Sequence, residues 1–150
     1  MRRALRLLLL ESNPGQSLLV SHALSQLPQI CHWTVVSTSE TLLDYLHHRG
    51  PYTNAAQFPL PDLILLDWDL ELANSPQVLK ELKADPRLRI IPVVVLTGSR
   101  QEREVAASYN LGSTSFIVKP PSPEALLPMM RTFVQYWSDI VRLPFRASAT

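Results

Sequence analysis

Apolar runs too short for helices alternate along this chain with segments whose apolar residues recur every three or four positions. That alternation leaves few folds open. Residues Ala4 to Leu10 read as a buried strand, and Asn13-Pro14-Gly15 marks the turn after it. Val20, Ala23, Leu24 and Leu27 follow at helical spacing, and Leu27-Pro28 closes that helix. His32 to Ser37 is β-rich and reads as a second strand. Ser39 stands as N-cap of a helix carrying Leu42, Leu43 and Leu46, which stops near Gly50-Pro51. The proline-rich stretch Gly50 to Pro61 reads as a loop.

The second half repeats the pattern. Leu63 to Leu66 is a third apolar run, and Val78, Leu79 and Leu82 make a helix that Asp85-Pro86 terminates. Ile90 to Leu96 is a continuous, β-branched run of the kind found inside parallel sheets. Arg100 to Leu111 is helical with Gly112 as its stop, Ser115 to Val118 is a fifth strand, and a long amphipathic helix covers Pro123 to Leu143. Five strands alternating with five helices imply a parallel sheet covered on both faces by right-handed crossovers.

Composition narrows the function. Lys+Arg number 14 and Asp+Glu 13, a formal net charge of +1. No face can be strongly basic without an acidic one to offset it, which argues against a nucleic-acid partner. The single Cys31 excludes an intrachain disulfide and a cysteine-built zinc site. Met1-Arg2-Arg3 before Leu7-Leu8-Leu9-Leu10 imitates a signal peptide, but Arg6 interrupts the run, Glu11 ends it, and no cleavage site follows. No stretch approaches the roughly 20 apolar residues of a membrane span. The expectation is one soluble, cytoplasmic domain over residues 1–150, with a core of about 4–143 and a short polar tail from 144 to 150.

Ligand sites in open α/β sheets collect where strands end at their carboxyl edge. The sequence puts Glu11 and Ser12 after strand one, Asp67 after strand three, Thr97 after strand four and Lys119 after strand five. Any one of these could merely cap a turn. Together they would project into one crevice with a coherent chemistry. The Asp67 carboxylate can act as nucleophile toward a phosphoryl group, forming an acyl phosphate. Lys119 supplies a point charge and Thr97 a hydroxyl donor for the transferred oxygens. Glu11 could help hold Mg²⁺, which prefers oxygen ligands.

The segments Leu-Leu-Glu-Ser-Asn-Pro (9–14), Pro-Asp-Leu-Ile-Leu-Leu-Asp (61–67), Val-Val-Leu-Thr (94–97) and Phe-Ile-Val-Lys-Pro (116–120) resemble the receiver domains of two-component response regulators. Within that family, His-Arg-Gly-Pro-Tyr (48–52), Lys-Ala-Asp-Pro-Arg-Leu-Arg (83–89) and Tyr-Trp-Ser-Asp-Ile-Val-Arg-Leu-Pro (136–144) look most like the single-domain regulators of phytochrome-type histidine kinases. The resemblance implies a flavodoxin-like, five-stranded parallel sheet of order 2-1-3-4-5 with helices on both faces. It implies that Asp67 accepts a phosphoryl group from a sensor histidine kinase, that Thr97 and Lys119 contact that group, and that Phe116 changes rotamer with Thr97. It further implies a cis Lys119-Pro120 bond, and Mg²⁺ held by Glu11, Asp67 and the Asp69 backbone carbonyl. Signalling would pass through partner binding or dimerisation, with no catalysis beyond the chain's own phosphotransfer and dephosphorylation.

The sequence departs from the family at two places. Glu11-Ser12 replaces the usual pair of consecutive acids, so one metal carboxylate is missing and Mg²⁺ binding is expected to be weak. The loop Asp69-Leu70-Glu71-Leu72-Ala73-Asn74-Ser75-Pro76 lacks both of its usual glycines. A pseudo-receiver, binding proteins independently of phosphorylation, is the competing reading. Asp67-Trp68-Asp69, Thr97 and Lys119 also resemble haloacid dehalogenase phosphatases. Those enzymes carry the nucleophile on the first strand and need a later acidic pair, and here only Glu124 and Asp139 follow Lys119, both within the last helix pattern.

In that helix Leu126, Met130, Phe133, Trp137 and Ile140 form the stripe expected to cover the sheet. A second stripe of Leu127, Val134 and Val141, with Met129 and Tyr136 alongside, is left over and suggests a homodimer. Pro128 lies inside the helix and predicts an irregular first turn. His47 and His48 read as solvated surface residues, Cys31 as a small buried hydrophobe, and Trp68 as packing or a shield beside Asp67.

Overall fold

A computed structural model describes residues 4–29, 31–68, 74–98 and 101–144. Five strands form one parallel sheet: β1 (Leu5–Leu10), β2 (Cys31–Val36), β3 (Leu63–Leu66), β4 (Val93–Thr97) and β5 (Ser115–Val118), in the order β2-β1-β3-β4-β5. Between and after them run α1 (Pro14–Ser25), α2 (Ser39–Leu46), α3 (Ser75–Ala84), α4 (Glu102–Asn110) and α5 (Pro123–Gln135). The flavodoxin-like order expected from the resemblance is the order observed.

Period-two alternation divides the core. Leu8, Leu10, Ile64, Leu66, Val93 and Val95 face one side and pack with Leu42 and Leu46 of α2 and Val78, Leu79 and Leu82 of α3. Leu7, Leu9, Leu63, Leu65, Val94 and Leu96 face the other and pack with Val20, Ala23 and Leu24 of α1 and Leu126, Met130, Phe133 and Val134 of α5. Strands buried on both faces need apolar residues at consecutive positions, which is why Leu7–Leu10 of β1, all of β3 and Val93–Leu96 of β4 read as unbroken runs.

Several local expectations need correction. The N-cap of α2 is Thr38, whose Oγ1 accepts from the Thr41 N–H at 3.1 Å, not Ser39. The fourth strand begins at Val93 rather than Ile90: Pro92 has no N–H to donate, Ile91 turns back to the Leu88 carbonyl, and Ile90 is 51% exposed. Arg100 lies outside the described residues. The stretch after α2 contains a 3₁₀ turn, Gly50–Tyr52, and is packed: Tyr45, Tyr52 and Phe58 contact one another at ring distances of 5.0–5.9 Å. His48 is half-buried there, its Nε2 2.8 Å from the Phe58 carbonyl oxygen, so it is no free surface histidine. Burial, with the Asp62 charge second, pushes the half-buried Cys31 thiol up to about 12.

The last helix differs most. α5 is continuous α-helix through Pro128, without the expected irregular first turn. The proline and the carbonyl-bearing Glu124 it leaves unpaired are both exposed, where water can satisfy the freed group. Irregularity comes later, as a π-helical turn over Tyr136–Ile140 in which the Val141 N–H donates to the Tyr136 carbonyl at 2.9 Å. Widening the turn rotates Ile140 off the core stripe, and it is 72% exposed. Val134, assigned above to the surplus stripe, is 0% exposed and belongs to the core, while Leu127, Met129 and Val141 pack partly against it.

Candidate functional site

The order β2-β1-β3-β4-β5 makes β1, β3, β4 and β5 immediate neighbours, so their carboxyl ends form one continuous edge. The sheet reverses its build direction between β1 and β3, where such folds open a crevice. Register sets the first pair: Leu10 is opposite Leu66, so Glu11 and Asp67 emerge side by side. The Glu11 N–H donates to the Val36 carbonyl and the Asp67 N–H to the Leu10 carbonyl, both at 3.0 Å, extending the ladder up to the site. Thr97 is opposite Val118, and the Lys119 N–H donates to the Thr97 carbonyl at 2.7 Å.

These ends surround a cavity of about 650 Å³ lined by Glu11, Ser12, Asn13, Asp67, Gly98 and Lys119, with Pro14, Gln16 and Pro120-Pro121 at its margin. Its charges are tightly organised. Lys119 Nζ lies 2.8 Å from Glu11 Oε2 and 3.9 Å from Asp67 Oδ1. The Lys119 and Glu11 side chains are 10% and 7% exposed, so this pair is shielded from solvent. Glu11 Oε1 accepts from the Asn13 N–H at 3.1 Å, and Asn13 Oδ1 caps α1 by accepting from the Gln16 N–H at 3.0 Å. One ammonium thus bridges two carboxylates on adjacent strands.

The other expected residues fall as follows. Ser12 lines the cavity beside Glu11. Thr97 is buried at its strand end, and it is the next residue, Gly98, that reaches the cavity wall. Phe116 is half-buried on the α2–α3 side of the sheet, with Val95 opposite it, and its N–H donates to the Tyr109 hydroxyl at 3.2 Å. Thr97 shares the parity of Val93 and Val95 and so belongs to the same face as Phe116. Trp68 is buried in the core with Val78 and Leu79, which assigns it to packing. Asp69 lies outside the described residues. The Lys119-Pro120 bond is trans: no cis bond occurs among the described residues, and trans is the intrinsic X–Pro preference by about 0.5–1 kcal/mol. Two contributors escaped the sequence reading. Asn13 was legible as a polar residue before Pro14 at the helix start, whereas nothing in the sequence marked the Ser75 hydroxyl, which donates to the Asp67 carbonyl.

Glu11, Asp67 and Ser12 offer only oxygen donors, which suits a hard divalent cation. Among the described residues no group of three or more His, Cys, Asp or Glu could hold a metal ion, and those residues bring two carboxylates, Glu11 and Asp67, to the cavity. Glu11 and Asp67 would hold Mg²⁺ there, and the ion would supply positive charge toward phosphoryl oxygens.

Fold, strand-end chemistry and family agree. The family model of the response regulator receiver domain matches residues 7–131, and the chain belongs to that family. It is 33% identical to the response regulator Rcp1 of Synechocystis sp. over 138 residues, 92% of each chain. Among solved structures it resembles the phosphorylated cyanobacterial phytochrome response regulator RcpA (TM-score 0.86, 31% identity, 95% of this chain and 100% of that one). It also resembles the Mn²⁺-bound form of Rcp1 (TM-score 0.82, 33% identity, 93% and 99% covered). Membership in a signalling family sets aside the phosphatase resemblance. No helix among the described residues is long and apolar enough to cross a membrane.

Proposed function

We propose that this chain is a phosphoryl-accepting switch in which Asp67 takes the phosphoryl group of a sensor histidine kinase. The observation that carries this reading is the Lys119 ammonium held 2.8 Å from Glu11 and 3.9 Å from Asp67 at adjacent strand ends. An Asp67 carboxylate oxygen attacks phosphorus, the new O–P bond forms as the P–N bond of phosphohistidine breaks, and the leaving imidazole nitrogen keeps the electron pair and takes a proton. Lys119 is within reach of the added charge, and Thr97 at the end of β4 supplies a hydroxyl. Phe116, on the same face as Thr97, carries the change outward. Mg²⁺ is the cofactor, held weakly by Glu11, Asp67 and the Asp69 carbonyl because Ser12 brings no charge.

The likeness to a phytochrome response regulator supports a phytochrome-type kinase as the donor. Residues 4–143 act as one receiver unit that signals by binding a protein partner or a second copy of itself. Tyr136 and Ile140, 49% and 72% exposed, are the apolar surface for that copy. Ile140→Glu should therefore give a folded monomer, and light scattering that finds the unmutated chain monomeric at micromolar concentration removes the dimer. The test of the main reading is Asp67→Asn, which should abolish labelling from a phosphohistidine donor with the fold intact. Continued labelling defeats it. Ser12 favours the alternative of a phosphorylation-independent binding module, which predicts no labelling with or without Mg²⁺.

A further inference from the structure

The Ser75 hydroxyl donates to the main-chain carbonyl of Asp67 at 2.5 Å. Ser75 is 0% exposed, so its hydroxyl needs a partner within the fold, and the half-buried Asp67 supplies one. It lies in the first turn of α3, eight residues beyond Asp67. Asn74, just before it, is in the left-handed region (φ 47°, ψ 53°) and makes no side-chain capping bond to the helix. The chain therefore enters α3 from an unusual conformation, and the Ser75 hydroxyl ties that entry directly to the sheet.

The consequence falls on Asp67. Its N–H donates to the Leu10 carbonyl of β1 at 3.0 Å, and its own carbonyl accepts from Ser75. Both main-chain polar groups of this residue are held, one by β1 and one by α3. Its carboxylate hangs from a Cα fixed between them, 3.9 Å from Lys119. A residue without a side-chain donor at position 75 would leave the link from α3 to the Asp67 carbonyl unmade.

We infer that Ser75 is a positioning residue that orients the Asp67 carboxylate for phosphoryl attack, an inference that rests on Asp67 being the phosphoacceptor. In-line attack tolerates little misplacement, and an error of 1 Å costs up to about 100-fold. Loss of one of two backbone anchors should cost less than that.

The experiment follows phosphorylation of the full chain by acetyl phosphate with Mg²⁺, read by intact mass, as donor concentration is varied. The Asp67 O–P bond forms, the donor's P–O bond breaks, and acetate leaves with the electron pair. Ser75→Ala should lower the maximal rate constant about tenfold with the half-saturating donor concentration unchanged. Ser75→Cys, which keeps a weak donor of similar size, should fall between the two. A Ser75→Ala maximal rate within about twofold of the unmutated chain overturns the inference. So does a loss that moves half-saturation equally and is not relieved by Ser75→Cys, since that marks general damage. If circular dichroism finds Ser75→Ala unfolded, Ser75→Cys decides alone, and a rate equal to the unmutated chain's overturns the inference. Failure of the unmutated chain to be labelled at all removes the phosphoacceptor reading, and the inference with it.

Discussion

Lys119→Met tests the charge arrangement at its centre. At an effective dielectric of about 20, a 2.8 Å contact is worth about 6 kcal/mol of gross Coulomb energy and a 3.9 Å contact about 4 kcal/mol. Desolvating the lysine and Glu11 consumes most of that, so the net worth of the pair is small. Removing one partner is a different matter, because it strands a carboxylate that is 7% exposed, and such losses cost about 3–5 kcal/mol. Glu11 keeps its bond from the Asn13 N–H, which places the expected loss at the lower end, about 3 kcal/mol. The substitution also leaves Glu11 and Asp67 with no cation between them. Mg²⁺ should then stabilise the variant more than the parent, by RT ln(1 + [Mg²⁺]/Kd) with a smaller Kd. Urea denaturation of both proteins with and without Mg²⁺ measures the two terms. A variant as stable as the parent without Mg²⁺, or one gaining no more from Mg²⁺ than the parent does, refutes this account of the pair.

Ser12→Asp should tighten Mg²⁺ binding on the order of tenfold by calorimetric titration, because it adds a charge beside Glu11; unchanged affinity would take Ser12 away from the ion. Val134→Asp should lose about 3 kcal/mol or more of stability rather than yield a folded monomer, since Val134 is 0% exposed, and an undiminished urea midpoint contradicts that. Asp85 is held below its ordinary 3.8 first by the Arg87 N–H, with the Leu88 N–H and the charges of His47 and Arg87 adding to it. A depressed folded value gives stability that is complete above 3.8 and lost as pH falls through the folded value, so the parent's advantage over Asp85→Asn should shrink across that acid window; a constant difference in midpoint refutes it.

What the sequence made legible, and what it did not, follows from how local each signal is. The strand β3, the Leu7–Leu10 part of β1 and the strand-end residues Glu11 and Asp67 were readable because burial on both faces leaves apolar runs whose carboxyl ends are sharp. Ile90 and Ile91 looked like more of β4, and apolar character alone could not show that Pro92 leaves the ladder to start at Val93. Val134 was misassigned because a stripe drawn at regular spacing has no width, whereas α5 packs a broad face that includes both Phe133 and Val134. The turn at Tyr136–Ile140 then ends regular spacing altogether. Thr38 and Ser39 are both competent caps, and only the geometry of chain entry chose between them. Ser75 was illegible for a stronger reason: a Ser-Pro pair opening a helix signals an N-cap, and its bond to Asp67 exists only after the sheet and α3 have packed.

Charge couples Ser12 and Lys119 although they follow different strands, β1 and β5. Among the described cavity residues, Glu11 and Asp67 against Lys119 leave one net negative charge. A divalent cation in the unphosphorylated cleft would overshoot neutrality. Converting Asp67 to an acyl phosphate adds about one further negative charge, after which the same ion balances the cleft. Ser12 thus shifts the best charge match from the empty acceptor to the phosphorylated one, and by linkage whatever phosphorylation does for ion affinity the ion does equally for phosphorylation. Ser12→Asp and Lys119→Met each add one negative charge to the unphosphorylated cleft, the first by gaining a carboxylate and the second by losing an ammonium. Both substitutions should therefore tighten Mg²⁺ binding. Ser12→Asp should do so by more, because it also adds an oxygen ligand that a methionine at position 119 does not offer.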